Sequence, residues 1–456
     1  MTNDYCIGCG ICAGICPVHV LQMNFNEFGE YQPVEIKAGC LPKCDLCLRG
    51  CPFWNQEDNE DTLAKTAFSD QPEINHRNEI GYYLKSYVGY SNMDDHRKNG
   101  ASGGMTTWLL ETLLLEGFVD HAICVTHNPD PERLFKFSVL SIVKDIRGAS
   151  RSCYYPVELS EVIDYVLQNE GRYAITGLPC FLKGLRLAMR HNRRLRERLI
   201  YLIGITCGQL QSKHFAEYLC LLKNGEPKYL TKVTFRVKDQ NRPSSDFGFK
   251  FECSDGRVKE NEVYWSSGMG EIWHEGYFTP NACLYCDDIF AEVADVVFMD
   301  AWLPGYSSQP EGTNLLIVRS PRIAKLLEGG LSEDQITLNQ IDIQKVIDSQ
   351  MGVIHKKKND LAFRISVQIR QKTYIPQKRL TGKYRYKIHE KIIYYLKQNI
   401  REKRRTIYSM NQGNIIINIE IRLYKLFLKI STESLFLISK IRKHLTILSR
   451  LYGSKR

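Results

Sequence analysis

The sequence predicts an α+β protein in three parts: a small cysteine-rich N-terminal unit at residues 1–54, an α/β core at 81–370 and a basic helical tail at 371–456. Three observations predict it. Eight cysteines stand in two runs within the first 51 residues, strand-turn-helix patterns recur from residue 82 to 319, and Lys and Arg alternate with apolar residues at helical spacing after residue 384.

The first run is Cys6, Cys9, Cys12 and Cys16 followed by Pro17; the second is Cys40, Cys44, Cys47 and Cys51 followed by Pro52. A cubane iron-sulfur cluster needs four thiolates aimed at one small volume, and three from a tight loop with one from a distant helix achieve this. In two-cluster ferredoxins the fourth cysteine of each run ligates the other cluster. Cys6, Cys9, Cys12 and Cys51 are therefore predicted to hold one 4Fe-4S cluster, and Cys40, Cys44, Cys47 and Cys16 the second. Gly8, Gly10 and Gly14 let the loop fold tightly and offer amides to the sulfides. Paired Cys-x2-Cys motifs also bind zinc, but a four-cysteine run ending in Cys-Pro, given twice, favours iron. The second run departs from the usual spacing, with three residues including Pro42 between Cys40 and Cys44.

With 456 residues, 43% of them hydrophobic, the chain can bury a core large enough for two or three domains. No stretch approaches the roughly 18 uncharged apolar residues of a membrane span. The opening residues lack the basic and apolar regions of a signal peptide, so a cytoplasmic protein is predicted. Half of the sixteen cysteines are spent in the two runs and the rest are scattered, which fits a reducing compartment. The net charge of +10 is uneven. Residues 372–456 carry 21 Lys and Arg against four Glu, a net +17, leaving −7 for the remainder. Any contact with a polyanion or an anionic membrane therefore belongs to the tail.

Residues 55–80 are polar and acidic without an apolar period, as in a linker or a wrapping loop. Tyr82 to Tyr90 alternates like a strand. Gly100, Ser102, Gly103 and Gly104 then form a small-residue loop before a helix through Trp108, Leu109, Leu113 and Leu114. A helix N-terminus preceded by glycines exposes amides that suit a phosphate or the polar edge of a flavin; a plain glycine turn before a capped helix is the alternative. The G-x-G-x-x-G of a Rossmann unit is absent here.

Strands are predicted within 119–126 and 134–143, and a helix at 157–168. Residues 172–189 read as strand, turn and helix with Cys180 near the first helical turn, where the dipole lowers a thiol pKa. The layout recurs at 198–220, with Cys207 in the turn. Antiparallel strands follow at 229–237 and 247–253. Cys283 and Cys286 form a lone Cys-x2-Cys pair, which needs two more ligands; Cys180 and Cys207, at two strand ends of an α/β sheet, are the best donors. The alternative is that all four are buried thiols, since Cys124, Cys153, Cys220 and Cys253 lie outside any motif. Residues 294–302 and 313–319 complete the buried strands.

In the tail, residues 384–400 and 415–451 read as basic amphipathic helices, which either pack on the acidic body or lie on an anionic membrane surface. The charge runs there are those of a solvated face, and no specific nucleic-acid contact is predicted.

Several of these segments together resemble the beta subunits of coenzyme F420 hydrogenase/dehydrogenase, a family of iron-sulfur flavoproteins. They are the cysteine runs, NGASGGMTTWLLETLLLEGFVD, TGLPCFLKGLR, IGITCGQLQSKHF, NACLYCDDIFAEVADVVFMDAW and EGTNLLIVRS, in the family's order over about residues 1–320. The resemblance implies a ferredoxin-like domain with two 4Fe-4S clusters fused to an α/β flavin-binding core. It implies FAD near Ser102, Gly103 and Gly104, and a third 4Fe-4S cluster on Cys180, Cys207, Cys283 and Cys286. Met299 departs from the family, which has glycine before Asp-Ala-Trp, and the tail lies outside the shared core.

The predicted activity is that of a flavin-dependent iron-sulfur oxidoreductase passing electrons between the clusters and FAD. A ferredoxin or other redox protein, or an oxidoreductase partner subunit, would meet residues 1–54, and a small two-electron molecule such as coenzyme F420 would meet the flavin. The other reading is an electron relay feeding a partner enzyme. No catalytic acid or base stands out; Lys183 and Asp300 lie near the site by sequence context only.

Overall fold

The computed structural model of the chain describes residues 5–54, 58–93, 95–256, 263–380, 382, 386–410 and 426. The cysteine-rich unit contributes an antiparallel hairpin, β1 (Leu21–Phe25) and β2 (Tyr31–Glu35), and two one-turn helices, Ile11–Gly14 and Leu46–Arg49. The linker predicted at 55–80 is instead ordered structure. A helix Glu60–Phe68 is opened by a capping box in which Asn59 and Thr62 bond reciprocally. It buries Leu63, Ala64 and Phe68. A short hairpin, β3 (Asn75–Arg77) and β4 (Gly81–Tyr83), follows. The apolar signal was only four residues scattered among acids, and one buried stripe was enough.

The remaining strands are β5 (Lys85–Ser91), β6 (His121–His127), β7 (Phe135–Leu140), β8 (Tyr173–Gly177), β9 (Leu199–Ile205), β10 (Leu230–Val237), β11 (Gly248–Cys253), β12 (Val263–Tyr264), β13 (Val296–Asp300), β14 (Asn314–Val318) and β15 (Ile336–Gln340). Eight of them form one mixed sheet in the order β15-β5-β14-β13-β9-β8-β6-β7. The central four, β13, β9, β8 and β6, run parallel, and the flanking pairs are antiparallel. Parallel strands are covered on both faces, which is why these segments read as continuous apolar runs rather than alternating ones.

Successive residues serve opposite layers. Leu202, Val297 and Ile317 join a core with Phe181, Leu182 and Leu185 of the helix Pro179–His191. Ile203, Phe298 and Val318 face the helices Met105–Leu115 and Pro321–Ser332 through Trp108, Leu109 and Leu327. Ile7, Cys9, Ile11 and Ile15 of the cysteine-rich unit belong to the first of these layers. That unit is thus seated on the sheet's helical face. The strands β10, β11 and β12 form a separate small sheet over the helix Lys213–Leu221.

Arg319, at 0% exposure, donates to the carbonyls of Ile80, Tyr82, Phe290, Ala291 and Ala294. Burial pushes it down to about 10, and the five carbonyl acceptors satisfy it. It thereby pins the loop that follows Cys286. The helix Ile388–Met410 overlaps the range predicted at 384–400 from residue 388 onward and packs on acidic groups of the body, with Lys397 3.2 Å from Glu275 and Arg405 2.8 Å from Glu30. The second tail helix predicted at 415–451 lies outside the described residues, apart from residue 426. Among the described residues no helix is long and apolar enough to cross a membrane.

Candidate metal centres and flavin site

Cys6, Cys9 and Cys12 sit on a loop that only glycine can shape. Gly8 and Gly10 have φ of +71° and +76°, and a Cβ at either would strike the Tyr31 backbone or the Leu159 amide. The Gly8 amide donates to Cys6 Sγ at 3.4 Å, and the Leu159 amide holds the Cys9 carbonyl at 2.9 Å. Cys51 arrives from the far end of the unit. Burial, and then the Cys51 sulfur among other negative neighbours, pushes the Cys6 thiol up to about 11. Burial and neighbouring thiols, Cys51 among them, likewise raise Cys9 and Cys12.

Cys47 is raised by burial first and then by Cys44, Cys16 and Cys40. Cys16 is thus among the sulfurs near Cys47, and Cys51 among those near Cys6, Cys9 and Cys12, the last of which also feels Cys47. Cys40 is exposed while Cys16 is buried, so the second group lies at the molecular surface.

The third group is built by the main sheet. Pro179 starts a helix directly after β8 and carries Cys180 into its first turn, and Cys207 lies two residues beyond the neighbouring strand β9. Cys283 and Cys286 come from the turn Asn281–Tyr285 and its end. The Leu210 amide donates to Cys283 Sγ at 3.3 Å, and the Cys207 amide to the Ile289 carbonyl at 3.2 Å. The low pKa predicted for Cys180 from the helix dipole is reversed: burial, then Cys286, Cys207 and Cys283, raise it far above the ordinary thiol value. A half-turn of dipole cannot offset three neighbouring thiols out of water. Burial likewise brings Cys283 up to about 12 and Cys207 to about 11.

Such thiols ionise only against a cation, and soft sulfur donors in a dry pocket suit iron. Among the described residues no three His, Cys, Asp or Glu side chains close on a single ion.

A narrow cleft beside the first group is lined by Cys6, Gly8, Glu30, Leu210 and Pro280, and Leu210 is the residue whose amide meets Cys283. The helix that starts at Cys180 also carries Lys183, which lies beside Cys51 and pairs with Glu60 at 3.2 Å.

Around the glycine loop the small residues serve internal packing. A Cβ at Gly103 would meet Asn314 and the Gly89 carbonyl, and one at Gly104 the His96 backbone. Ser102 Oγ donates to the Thr313 carbonyl at 2.7 Å, and the Met105 amide to Asn314 Oδ1 at 3.2 Å. The polar atoms that invite a ligand come from the end of β10 and the residue after it. A bulge sets Arg236 at φ +59°, aiming its side chain inward. The guanidinium donates to both Asp300 oxygens at 2.7 and 3.0 Å and to the Ala101 carbonyl at 2.9 Å. It lies over Phe247 and Trp302. Lys238 donates to the carbonyls of Ser102, at 2.7 Å, and Arg97. Burial, Arg236 and Arg97 push Lys238 down to about 7. Arg97, Arg236 and Lys238 thus crowd the loop against Asp300 and Glu311, a set of N–H donors that suits a phosphate.

The model for the coenzyme F420 hydrogenase/dehydrogenase beta subunit matches the chain with its C-terminal part at residues 170–344 and its N-terminal part at 86–164. Together these span more than half of the chain. The chain belongs to this family.

A 4Fe-4S binding domain model matches residues 2–22, the first cysteine run. The chain is similar in structure to a chain of the F420-reducing [NiFe] hydrogenase complex from Methanosarcina barkeri, with 16% identity, a TM-score of 0.49, and coverage of 64% of this chain and 96% of that one. No curated protein sequence matches. The F420 hydrogenase/dehydrogenase family is one of oxidoreductase subunits, and this member carries its core behind a 4Fe-4S motif.

Of the two residues placed near the site by sequence context, Asp300 is paired with Arg236 and Lys183 with Glu60. Sequence reasoning missed Arg236 and Lys238, whose i, i+2 spacing on a strand was the available signal. It also missed Lys357, hidden in the run His355 to Lys358.

Proposed function

We propose that this family member is an iron-sulfur flavoprotein oxidoreductase carrying three 4Fe-4S clusters and one FAD. The observation that carries the proposal is the grouping of twelve cysteines, all but Cys40 buried or half-buried, into three sets of four drawn from distant parts of the chain. Clusters pass single electrons, and a flavin accepts them singly and delivers a hydride, so the two together connect one-electron and two-electron chemistry. Cys6, Cys9, Cys12 and Cys51 would hold one cluster, Cys16, Cys40, Cys44 and Cys47 another, and Cys180, Cys207, Cys283 and Cys286 the third.

FAD would lie at the loop Ser102, Gly103 and Gly104. Arg236 and Lys238 hold the loop carbonyls and bring N–H donors for its phosphates. Phe247 and Trp302, under the Arg236 guanidinium, keep water from the same corner. The two-electron partner is a deazaflavin such as coenzyme F420 or another small molecule. The test is anaerobic reduction by dithionite or reduced ferredoxin. Bleaching of a bound flavin, followed by hydride transfer to the deazaflavin, is the expected result. Iron without bound flavin would remove the enzyme.

A specific feature favours a protein partner at the second group. Residues 34–43 are all exposed and carry Val34, Ile36 and Leu41 around Cys40, with Trp54 also exposed. Apolar side chains ringing an exposed ligand suit the docking of a redox protein or partner subunit. Leu41→Asp would slow reduction by ferredoxin about tenfold with iron content unchanged, and an unchanged rate would exclude this edge.

A further inference from the structure

We propose that the ammonium of Lys357, 3.1 Å from Cys286 Sγ, is the residue that raises the reduction potential of the core cluster. The proposal rests on the reading of Cys180, Cys207, Cys283 and Cys286 as that cluster's ligands.

Lys357 is 4% exposed. Its partners are the Cys286 sulfur and, also at 3.1 Å, the Asp288 carbonyl. The side chain thus donates directly to a ligand sulfur. The first group differs, since the lysine beside Cys51, Lys183, is already paired with Glu60.

The backbone is shaped for this contact. Residues His355–Asp360 form a π-helical turn, continuous with the helices on either side. Single π turns are rare and concentrate at functional sites. This one turns Lys357 into the interior while His355 stays exposed and Lys358 reaches the Asn78 carbonyl.

The step concerned is the gain of one electron by one cluster, with no bond made or broken; in the test the electron comes from dithionite. Reduction adds a negative charge in a dry site. A cation and an N–H···S bond at the ligand sulfur stabilise the reduced state more than the oxidised one, which moves the potential upward.

The full chain, anaerobically loaded with iron and sulfide, is titrated with dithionite and redox mediators while EPR follows each cluster. Lys357→Met should shift one cluster potential to more negative values and leave the other two in place. Lys357→Arg should lie close to the original, and Lys358→Met should change none. Three unmoved potentials in a fully loaded Lys357→Met protein would overturn the proposal. Loss of the core cluster in both Lys357→Met and Lys357→Gln would overturn it too, since the lysine would then serve assembly. If the unsubstituted chain holds only about eight iron atoms, two cubanes, the core cluster itself falls, a result distinct from either.

Discussion

Gly184 is pressed against Ile11, so that a methyl group at Gly184 would overlap the isoleucine side chain. This contact seats the helix that starts at Cys180 against the one-turn helix carrying Cys12, with the Gly50 carbonyl and Pro52 close on the same side. Gly184→Val is expected to lower stability by about 1–3 kcal/mol through overpacking. Thermal or denaturant unfolding of the loaded protein measures it, and an unchanged midpoint would show that the interface yields.

The exchange of fourth ligands separates two single substitutions. Cys16→Ser should remove the exposed cluster with Cys40, Cys44 and Cys47, whereas Cys51→Ser should remove the one with Cys6, Cys9 and Cys12. Each would lower iron from about twelve to about eight atoms. EPR of the remaining centres tells which is gone. If Cys16→Ser abolished the signal of the buried first cluster, the pairing would be wrong.

Removing Arg236 leaves Asp300 without its bidentate partner. Because Asp300 is partly exposed, the cost of Arg236→Leu should be below that of a fully buried pair, about 2–3 kcal/mol. Bound flavin should fall with it. Retention of full flavin would place the cofactor away from the Ser102–Gly104 loop.

Glu60 gives a pH signature. Burial works to raise its carboxyl, but Lys183 and Arg379 prevail and hold it at about 2, against 4.5 for the free side chain. A carboxylate lowered in the folded state contributes stability that is fully present above 4.5 and is lost as pH falls toward 2. The stability difference between the original chain and Glu60→Gln should therefore be largest near neutral pH and shrink below 4.5. Circular dichroism during denaturant unfolding at several pH values measures this; a constant difference would mean the pair has no net effect.

Much of this was legible in the sequence. The runs ending in Pro17 and Pro52 announce themselves, and the turns after β8 and β9 place Cys180 and Cys207 because strand and helix periods differ so plainly. The rest depends on forces that spacing does not carry. Glu60–Phe68 hid because Leu63, Ala64 and Phe68 are few and flanked by acids. Cys180 looked acidic by its helix position, yet burial and three nearby thiols outweigh a dipole. Arg236 reaches the glycine loop only through a strand bulge, and Lys357 reaches Cys286 only through a π turn, and neither leaves a periodic trace.

The most direct test of the central claim is quantification of iron, acid-labile sulfide and extracted flavin in the full chain purified without oxygen. About twelve iron and twelve sulfide atoms with one FAD per chain are predicted, three cubanes of four. About eight iron atoms, or no flavin, would contradict it.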